Sequence, residues 1–347
     1  MTVGRIDHRH TRLAVDAKAA TPCPEAMTEL PALAELETAT TIVRQWVPPT
    51  PQFTWAALNT RAGLEVWIKH ENHTPIGSFK ARGALVYFDR LLRSNSGLRG
   101  VVAATRGNFG QAVAFAARRS GLRAVIVVPF GNSAEKNAAM RALGAELVEH
   151  GVDFQAAFEH AQQLATGEAL HFVPSFDSDL VAGAGTYALE FLRGAPPLDA
   201  VFVPVGLGSG ICAVCAARNA LGFATRIIGV VSAHAPAYAL SFAAGRAVSE
   251  PVTTHIADGV AIRQPDPAAV ALIARQVERF VLVTDGEVEA AMRMLFTDTH
   301  NTAEGAGAVA LAGLWQERAQ WAGRRVGVVL TGGNVDRPVF ARVLAGV

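Results

Sequence analysis

The sequence predicts an α/β fold built on parallel sheets that are covered by helices on both faces. Short, wholly apolar segments such as 124–128 and 200–205 alternate along the chain with segments of helical spacing. This alternation is typical of buried parallel strands. The composition agrees, because 50% of the 347 residues are hydrophobic, 18% are charged and 32 are glycine. These values are typical of a turn-rich globular enzyme, and the chain is long enough for two domains.

The individual elements follow from the apolar runs and the residues that flank them. Strands are predicted at 64–68, 100–104, 124–128, 146–148, 200–205, 227–231 and 326–330. Helices are predicted at 33–44, 111–120, 133–143, 154–165, 182–193 and 211–221, with others beginning near Lys80 and at Glu287. Gly144 lies just past one predicted helix, where a C-terminal glycine is common.

The order of the elements predicts two domains and an extension. We expect residues 1–35 to form an N-terminal extension, with the first 30 or so poorly ordered and at most a short helix among them. Residues 36–86 and 186–347 are assigned to a large domain. Residues 87–185 are assigned to a small domain inserted into it.

Charge and cysteine content exclude several classes of function. The net charge is +1, so no surface for nucleic acid or another polyanion is expected. No apolar run reaches membrane-spanning length, and no apolar core follows the charged N-terminus, so neither a membrane span nor a secretory signal is expected. The three cysteines, Cys23, Cys212 and Cys215, do not suggest a disulfide framework, which favours the cytoplasm. Cys212 and Cys215 lie within one predicted helix, and we interpret them as core thiols, not zinc ligands.

Lys80 is the first candidate for chemistry. A turn rich in Thr, Pro, Gly and Ser separates strand 64–68 from the helix that begins near this lysine. A lysine in the first turn faces the positive end of the helix dipole, and burial there would lower its pKa. Such a lysine can form a Schiff base with an aldehyde. A solvated surface lysine is the alternative, so the other strand-end segments must decide.

A glycine-rich loop, 206–210, joins a predicted strand to a predicted helix. Its backbone N–H groups could hold a phosphate at the helix N-terminus, and a tight turn without a ligand is the alternative. The third glycine of a dinucleotide fingerprint would fall at Ile211, and the next strand ends at Ser232 instead of an acid. The Gly-Lys-Ser/Thr ending of a P-loop is also absent. A plain phosphate is therefore favoured.

Two more polar segments follow predicted strands. The N–H groups of 105–111 could bind a substrate carboxylate, and Asn108 could donate to a phenolate-type oxygen. Thr331, at the start of 331–334, could contact a ring nitrogen through its hydroxyl. Glu304 opens a small-residue helix, where a simple dipole interaction is the alternative. Because ligands bind beyond the carboxyl ends of parallel strands, we expect these segments to meet.

A reactive lysine, a phosphate cradle, a carboxylate loop and a ring-nitrogen hydroxyl together describe a pyridoxal phosphate site. The sequence resembles the threonine/serine dehydratase family of fold type II pyridoxal phosphate enzymes, most specifically in Gly-Ser-Phe-Lys-Ala-Arg-Gly at 77–83. The resemblance extends in order over about 40–345. The motifs that carry it lie at 69–72, 77–84, 107–111, 128–145, 183–186, 206–210, 257–261, 304–308 and 331–334.

The resemblance implies a fold of two parallel-sheet α/β domains, like the tryptophan synthase β chain, and a role for each site residue. Lys80 would hold the cofactor and act as the base at the substrate α-carbon. The cofactor site would consist of Phe79, Lys80, Asn108, Gly206, Leu207, Gly208, Ser209, Gly210, Glu304 and Thr331. The substrate would contact Ser78, Thr105, Arg106, Gly107 and Phe109. The family also implies a homodimer.

Some positions depart from the family pattern. Arg106 replaces the Ser or Ala of many relatives, and a guanidinium cannot readily deprotonate, so racemisation is disfavoured. Arg106 could bind a second substrate carboxylate or pair with an acid outside the site. Phe109 replaces a common His and could admit an aromatic side chain. Residues 229–234 lack the Glu of the divalent-metal site of some relatives, so no metal is expected. We also expect no C-terminal regulatory domain and no inhibition by isoleucine.

The predicted function is that of a pyridoxal phosphate-dependent dehydratase, an ammonia-lyase of amino-acid catabolism. It would convert a β-hydroxy-α-amino acid, with L-threonine or L-serine as the default, to a 2-oxo acid and ammonia. Three alternatives remain open. They are a dehydratase of 3-hydroxyaspartate or 3-phenylserine, a β-replacement synthase, and a cofactor-binding protein without turnover.

Overall fold

The computed structural model describes residues 27–346, so most of the predicted N-terminal extension lies outside the described residues. The strands are β1 Gln52–Thr54, β2 Glu65–His70, β3 Gly100–Ala104, β4 Arg123–Val128, β5 Glu146–Glu149, β6 His171–Phe172, β7 Ala200–Pro204, β8 Arg226–Ser232, β9 Arg279–Val283 and β10 Arg325–Leu330. The helices are α1 Leu33–Arg44, α2 Ala56–Ala62, α3 Lys80–Ser94, α4 Asn108–Arg119, α5 Ala134–Ala142, α6 Phe154–Gly167, α7 Ser178–Gly194, α8 Ser209–Ala220, α9 Ala237–Ala244, α10 Pro267–Gln276, α11 Asp285–Thr299, α12 Gly305–Glu317 and α13 Arg337–Ala345.

The strands form two sheets, and the predicted α/β class is confirmed. One sheet has the order β1-β2-β10-β7-β8-β9 and the other β5-β4-β3-β6. Every pairing is parallel except that of β1 with β2, which is antiparallel. All strands of the smaller sheet lie within 87–185, although the exact domain boundaries stay a prediction.

The antiparallel edge strand β1 departs from the all-parallel prediction. It has three residues, follows Pro51 and leaves Phe53 50% exposed. Proline is tolerated at a sheet edge because an edge strand can leave one N–H side unpaired. Such a strand has no apolar run to reveal it. Two helices also begin earlier than predicted, α4 at Asn108 and α7 at Ser178.

Helices α3 and α7 approach each other closely because glycines face each other. A Cβ built on Gly183 would lie 2.4 Å from the Arg82 carbonyl oxygen, and one built on Gly83 would lie 2.9 Å from the Leu180 carbonyl oxygen. A side chain at either position would push the helices apart. This contact fixes the helix that begins with Lys80 against the core. Within residues 27–346, no helix is both long and apolar enough to cross a membrane.

Candidate active site

The turn before Lys80 is built by local hydrogen bonds and by the segment after β10. The Thr74 hydroxyl donates to the Ser78 carbonyl at 2.7 Å and accepts from the Ser78 N–H at 2.9 Å. Gly77 has φ +67°, a conformation that favours glycine. The Phe79 N–H donates to the Thr331 carbonyl at 3.1 Å. Lys80, the first residue of α3, is therefore held beside the carboxyl end of β10, as predicted from the sequence.

The Lys80 ammonium lies where its charge is poorly solvated. Burial lowers the pKa of Lys80 to about 8, and the Glu304 carboxylate opposes that decrease. The Nζ atom lies 4.9 Å from the centre of the Phe79 ring. The fraction of neutral amine near neutral pH is therefore higher than for an ordinary lysine, and the neutral amine is the nucleophilic form.

The glycine-rich loop runs from β7 to the N-terminus of α8. Gly208 has φ +104°, and α8 begins at Ser209. The first helical hydrogen bond is donated by the Cys212 N–H to the Gly208 carbonyl at 3.0 Å. The N–H groups before Cys212 lie outside the ladder of helical bonds, which makes this end of α8 suitable for an anion.

Two buried tyrosines that the sequence analysis missed hold this loop in place. The Tyr238 hydroxyl donates to the Leu207 carbonyl at 2.8 Å, and the Tyr187 hydroxyl donates to the Gly210 carbonyl at 3.1 Å. The Tyr187 ring also packs edge-on against Phe79, with ring centres 5.8 Å apart. Close packing fixes the loop further, since a Cβ on Gly206 would lie 2.4 Å from the Gly259 carbonyl oxygen.

One narrow cavity brings the predicted segments together. Its lining comes from five parts of the chain: the start of α3 with the preceding turn, the glycine-rich loop, the carboxylate loop, the turn before α7, and α7 itself. The lining residues are Phe79, Lys80, Gly83, Phe109, Ser175, Leu180, Ala184 and Ser209. Ser175 was missed because it lies in an irregular segment, after the two-residue strand β6. The cavity places the Lys80 amine and the start of α8 in a common site.

Asn108 and Glu304 are joined by a direct hydrogen bond from the Asn108 amide to the Glu304 carboxylate. The Asn108 Oδ1 atom accepts from Asn334 Nδ2 at 2.9 Å. Glu304 is 4% exposed and makes no capping bond at α12, so its side chain does more than face the helix dipole. It also pairs with Lys136, whose Nζ lies 3.0 Å from Glu304 Oε2. Lys136 was missed by the sequence analysis.

Thr331 and Ser78 lie on either side of a short bridge between the lysine turn and the segment after β10. Ser78 is 1% exposed and pairs with Gly332 in an isolated antiparallel bridge. Thr331 is 7% exposed, and its hydroxyl lies 3.4 Å from the Ala306 carbonyl. Both residues therefore adjoin the turn before Lys80 but are not among the residues that line the cavity, and their contacts with cofactor and substrate stay predictions.

The predicted carboxylate loop begins after β3. The Thr105 hydroxyl accepts from the N–H groups of Gly107 at 3.0 Å and Gly110 at 3.3 Å, which folds the loop over the start of α4. Phe109 is 9% exposed and packs into the core. Arg106 is exposed, and within residues 27–346 it has no ion-pair or hydrogen-bond partner. The pairing of Arg106 with an acid outside the site is therefore not seen.

A buried ionic network anchors the helix that carries Lys80. The Arg82 guanidinium is 0% exposed and donates twice to Glu71, at 2.8 and 3.0 Å, and twice to Glu190, at 2.9 and 3.0 Å. Lys69 also pairs with Glu190, at 2.8 Å. Arg82 is therefore a structural residue that links α3 to the turn after β2 and to α7.

The two cysteines of α8 are buried in the core, as the sequence predicted. Cys212 and Cys215 are buried free thiols, and burial raises the pKa of Cys215 to about 12. Among the described residues, no group of three or more His, Cys, Asp or Glu side chains could hold a metal ion. These thiols are core residues in this structure.

The donors of the cavity fit pyridoxal phosphate. The cofactor has an aldehyde for an amine and a phosphate for an anion site, and the Lys80 amine and the α8 N-terminus meet these needs in one cavity. The Asn108 amide has a second N–H for an oxygen acceptor. Lys80, Asn108 and the 206–210 loop could therefore hold this cofactor.

Comparison with known proteins agrees with this chemistry. The family described as pyridoxal-phosphate dependent enzymes matches residues 43–332. An L-threonine ammonia-lyase of Thermotoga maritima is 34% identical over 290 residues, which are 83% of this chain and 72% of that protein. An L-threo-3-hydroxyaspartate ammonia-lyase of Pseudomonas sp. is 35% identical over 300 residues, which are 86% of this chain and 93% of that protein. The processed threonine deaminase isoform 2 of Solanum lycopersicum superposes with a TM-score of 0.83 at 29% identity, covering 95% of this chain and 99% of that structure.

Proposed function

Because the chain belongs to the family of pyridoxal-phosphate dependent enzymes, we propose that it dehydrates a β-hydroxy-α-amino acid to a 2-oxo acid and ammonia. The observation that carries this proposal is the single cavity shared by the Lys80 amine, the start of α8 and the carboxylate loop. L-threonine or L-serine is the default substrate. Relatives that are named ammonia-lyases for hydroxyamino acids support the reaction class.

Different residues of the site would bind the cofactor and transfer the proton. The cofactor supplies an electron sink when it is bound. Lys80 Nζ would hold the cofactor and later take the proton from the substrate α-carbon. A pKa of about 8 suits that transfer, because a base is most effective when its pKa is near the working pH. Phe79 would pack against the ring, and the N–H groups of 206–210 would hold the phosphate.

Two side chains would set the electrostatics around the ring. The Asn108 amide would donate to the ring 3-oxygen, and the Thr331 hydroxyl would face the ring nitrogen. A hydroxyl, unlike a carboxylate, does not stabilise a positive charge on that nitrogen. The electron sink is therefore moderate, which favours loss of the β-hydroxyl over other reactions of the substrate. The N–H groups of the 105–109 loop would hold the substrate carboxylate, next to Ser78.

The reaction is tested with the purified holoenzyme and a panel of L-threonine, L-serine, 3-hydroxyaspartate and 3-phenylserine. We expect release of a 2-oxo acid from at least one of them without an added thiol. Lys80→Ala should lose both this activity and the visible absorbance of the bound cofactor while keeping its circular dichroism. If the cofactor absorbance is present and no substrate gives a 2-oxo acid, the dehydratase proposal is wrong. Product formation only with a thiol would indicate a β-replacement synthase.

A dicarboxylic substrate such as 3-hydroxyaspartate is the second candidate, and Arg106 favours it. Arg106 is exposed, lies three residues before the cavity-lining Phe109 in the carboxylate loop, and has no partner among the described residues. A guanidinium binds a carboxylate through two parallel hydrogen bonds. With the α-carboxylate on the loop N–H groups, the second carboxylate could therefore contact Arg106.

Arg106→Met separates the two candidates. We expect it to lower kcat/KM for 3-hydroxyaspartate by about 10- to 100-fold, the loss typical of a charged hydrogen bond, and to leave kcat/KM for threonine nearly unchanged. Arg99→Met is the matched control, because Arg99 is also exposed and precedes the same strand β3 at its opposite end. Equal losses on both substrates would exclude recognition of a side-chain carboxylate by Arg106.

We further propose that the enzyme is a cytoplasmic homodimer. Free, buried Cys212 and Cys215 are compatible with a reducing compartment, and the family resemblance supports the dimer. Light scattering during size-exclusion chromatography measures the mass directly. A mass of one chain at micromolar concentration would contradict the dimer.

A further inference from the structure

We propose that Lys136 is a positioning residue for the reaction, because it holds the Glu304 carboxylate that orients the Asn108 amide in the cofactor pocket. This rests on the proposed function, since it assigns Asn108 to the cofactor. Lys136 Nζ lies 3.0 Å from Glu304 Oε2, and the other carboxylate oxygen accepts from Asn108. Both members of the ion pair are buried, with 8% exposure for Lys136 and 4% for Glu304.

Lys136 packs against the carboxylate loop, at Gly107, as well as against Glu304. A Cβ built on Gly107 would lie 2.8 Å from Lys136 Cδ and 3.3 Å from its Nζ. The lysine side chain therefore passes directly beneath the glycine that precedes Asn108. This placement explains why the loop needs glycine at that point and puts the ammonium beside the start of α4.

The hydrogen bonds continue from Lys136 to the lysine turn. Glu304 accepts from Asn108, and Asn108 Oδ1 accepts from Asn334 Nδ2 at 2.9 Å. Asn334 Nδ2 also donates to the Ile76 carbonyl at 2.8 Å, four residues before Lys80. Helix α5, which carries Lys136, is thereby connected across the site to the segment that positions Lys80.

The charges around Glu304 make Lys136 its principal counter-ion. The carboxylate acts on Lys80 of α3 through its charge, and it accepts a direct hydrogen bond from Lys136 of α5. Asp258 and Asp336 act on Lys136 from the other elements. Burial lowers the pKa of Lys136, but the attraction of Glu304, Asp258 and Asp336 outweighs it and leaves the pKa raised. Lys136 is therefore a permanent cation at neutral pH.

Lys136→Met removes this cation and keeps the length of the side chain. Glu304 would then be a buried carboxylate without its hydrogen-bonded cation, an arrangement that favours the neutral form of a carboxyl group. We expect the visible absorbance of the bound cofactor to gain a pH-dependent transition that the wild type lacks. We also expect kcat at pH 7 to fall by about 10- to 100-fold with a smaller change in KM, since Asn108 loses its fixed orientation.

Three further variants separate positioning from simple loss of stability. Lys136→Arg should restore the wild-type pH titration because it returns the cation. The double variant Lys136→Met with Glu304→Gln should lack the new transition, because a glutamine amide does not ionise. Lys69→Met is the matched control, since Lys69 is also buried and pairs with Glu190 at 2.8 Å outside the cavity. It should lower stability without a new transition in the absorbance.

The proposal is overturned if the Lys136→Met absorbance titrates like the wild type. It is also overturned if the effects of Lys136→Met and Glu304→Gln on cofactor affinity simply add, because residues that act through one another do not add. If Lys136→Met alone does not fold, the cofactor affinity of the double variant is compared with that of Glu304→Gln. A difference between the two affinities would contradict an action of Lys136 through Glu304. Absence of turnover in the wild type would refute the proposed function, whereas the absorbance titration would still test Lys136.

Discussion

Replacing Arg82 by methionine is expected to destabilise the protein without touching the cavity. Arg82 follows Lys80 on α3 by two residues, and its guanidinium is fully buried between Glu71 and Glu190. Methionine fills much of the same space but carries no charge. The variant therefore removes the cation that two buried carboxylates share.

The size of the destabilisation depends on which partners Glu71 and Glu190 keep when Arg82 is replaced. Glu190 keeps the ammonium of Lys69 at 2.8 Å. Glu71 keeps only a hydrogen bond from the Thr50 hydroxyl and no buried cation as close as Arg82 was. One buried ion pair is thus broken outright, and breaking such a pair by removing one partner costs about 3–5 kcal/mol. We therefore expect the free energy of unfolding to fall by an amount in this range, not by twice that amount.

Thermal unfolding of the holoenzyme measures the effect. For a chain of 347 residues, an unfolding entropy of about 2.1 cal/mol/K per residue means that a loss of 1 kcal/mol lowers Tm by about 1.4 °C, so we expect a decrease of about 4–7 °C. The double variant Arg82→Met with Glu71→Leu should recover most of that decrease, because it removes the stranded charge as well.

Arg123→Met is the control for the loss of one arginine. Arg123 pairs with Glu146 and Glu168 at the surface, where ion pairs contribute little. We expect its Tm to match the wild type. A Tm within about 2 °C of the wild type for Arg82→Met, or a double variant that is as unstable as the single one, would refute the reasoning about the stranded carboxylate.

Two further predictions concern cofactor binding. The rate at which the apoenzyme takes up pyridoxal phosphate should rise with pH through about 8, because the pKa of Lys80 lies there and only the neutral amine reacts. Stopped-flow absorbance measures this rate, and a rate that is flat across this pH range would contradict the lowered pKa. Tyr238→Phe should weaken cofactor binding by about 5- to 10-fold, the value of one hydrogen bond, because the Leu207 carbonyl loses its donor at 2.8 Å. Equilibrium titration gives this affinity, and an unchanged affinity would show that packing alone holds the loop.

Local signals predicted much of the fold and the centre of the site. The buried strands have continuous apolar runs, so β3, β4, β7 and β10 were found within one or two residues of their ends. Lys80 was placed at a helix start because Thr74, Gly77 and Ser78 form a recognisable turn. Parallel strands bring their carboxyl ends together, which is why four separate segments could be predicted to meet.

The residues that were missed depend on contacts between distant parts of the chain. Lys136 is flanked by Glu135 and Asn137, so the local sequence is typical of a solvated helix face. Its burial arises from Glu304, 168 positions later. Tyr238 and Tyr187 likewise reach the glycine loop from elements far away in the sequence. Neither periodicity nor spacing contains such information.

Two buried ionic systems flank Lys80, and their charge balance assigns them different roles. In the first, Lys69 and Arg82 pair with Glu71 and Glu190, so the charges of these four side chains balance, and none of them contributes to the lowered pKa of Lys80. In the second, the Glu304 carboxylate pairs with Lys136 and its charge also acts on Lys80. Glu304 is accordingly the charge that opposes the decrease in the pKa of Lys80. Removing Arg82 should therefore change stability, whereas removing Lys136 should change the protonation of the cofactor pocket.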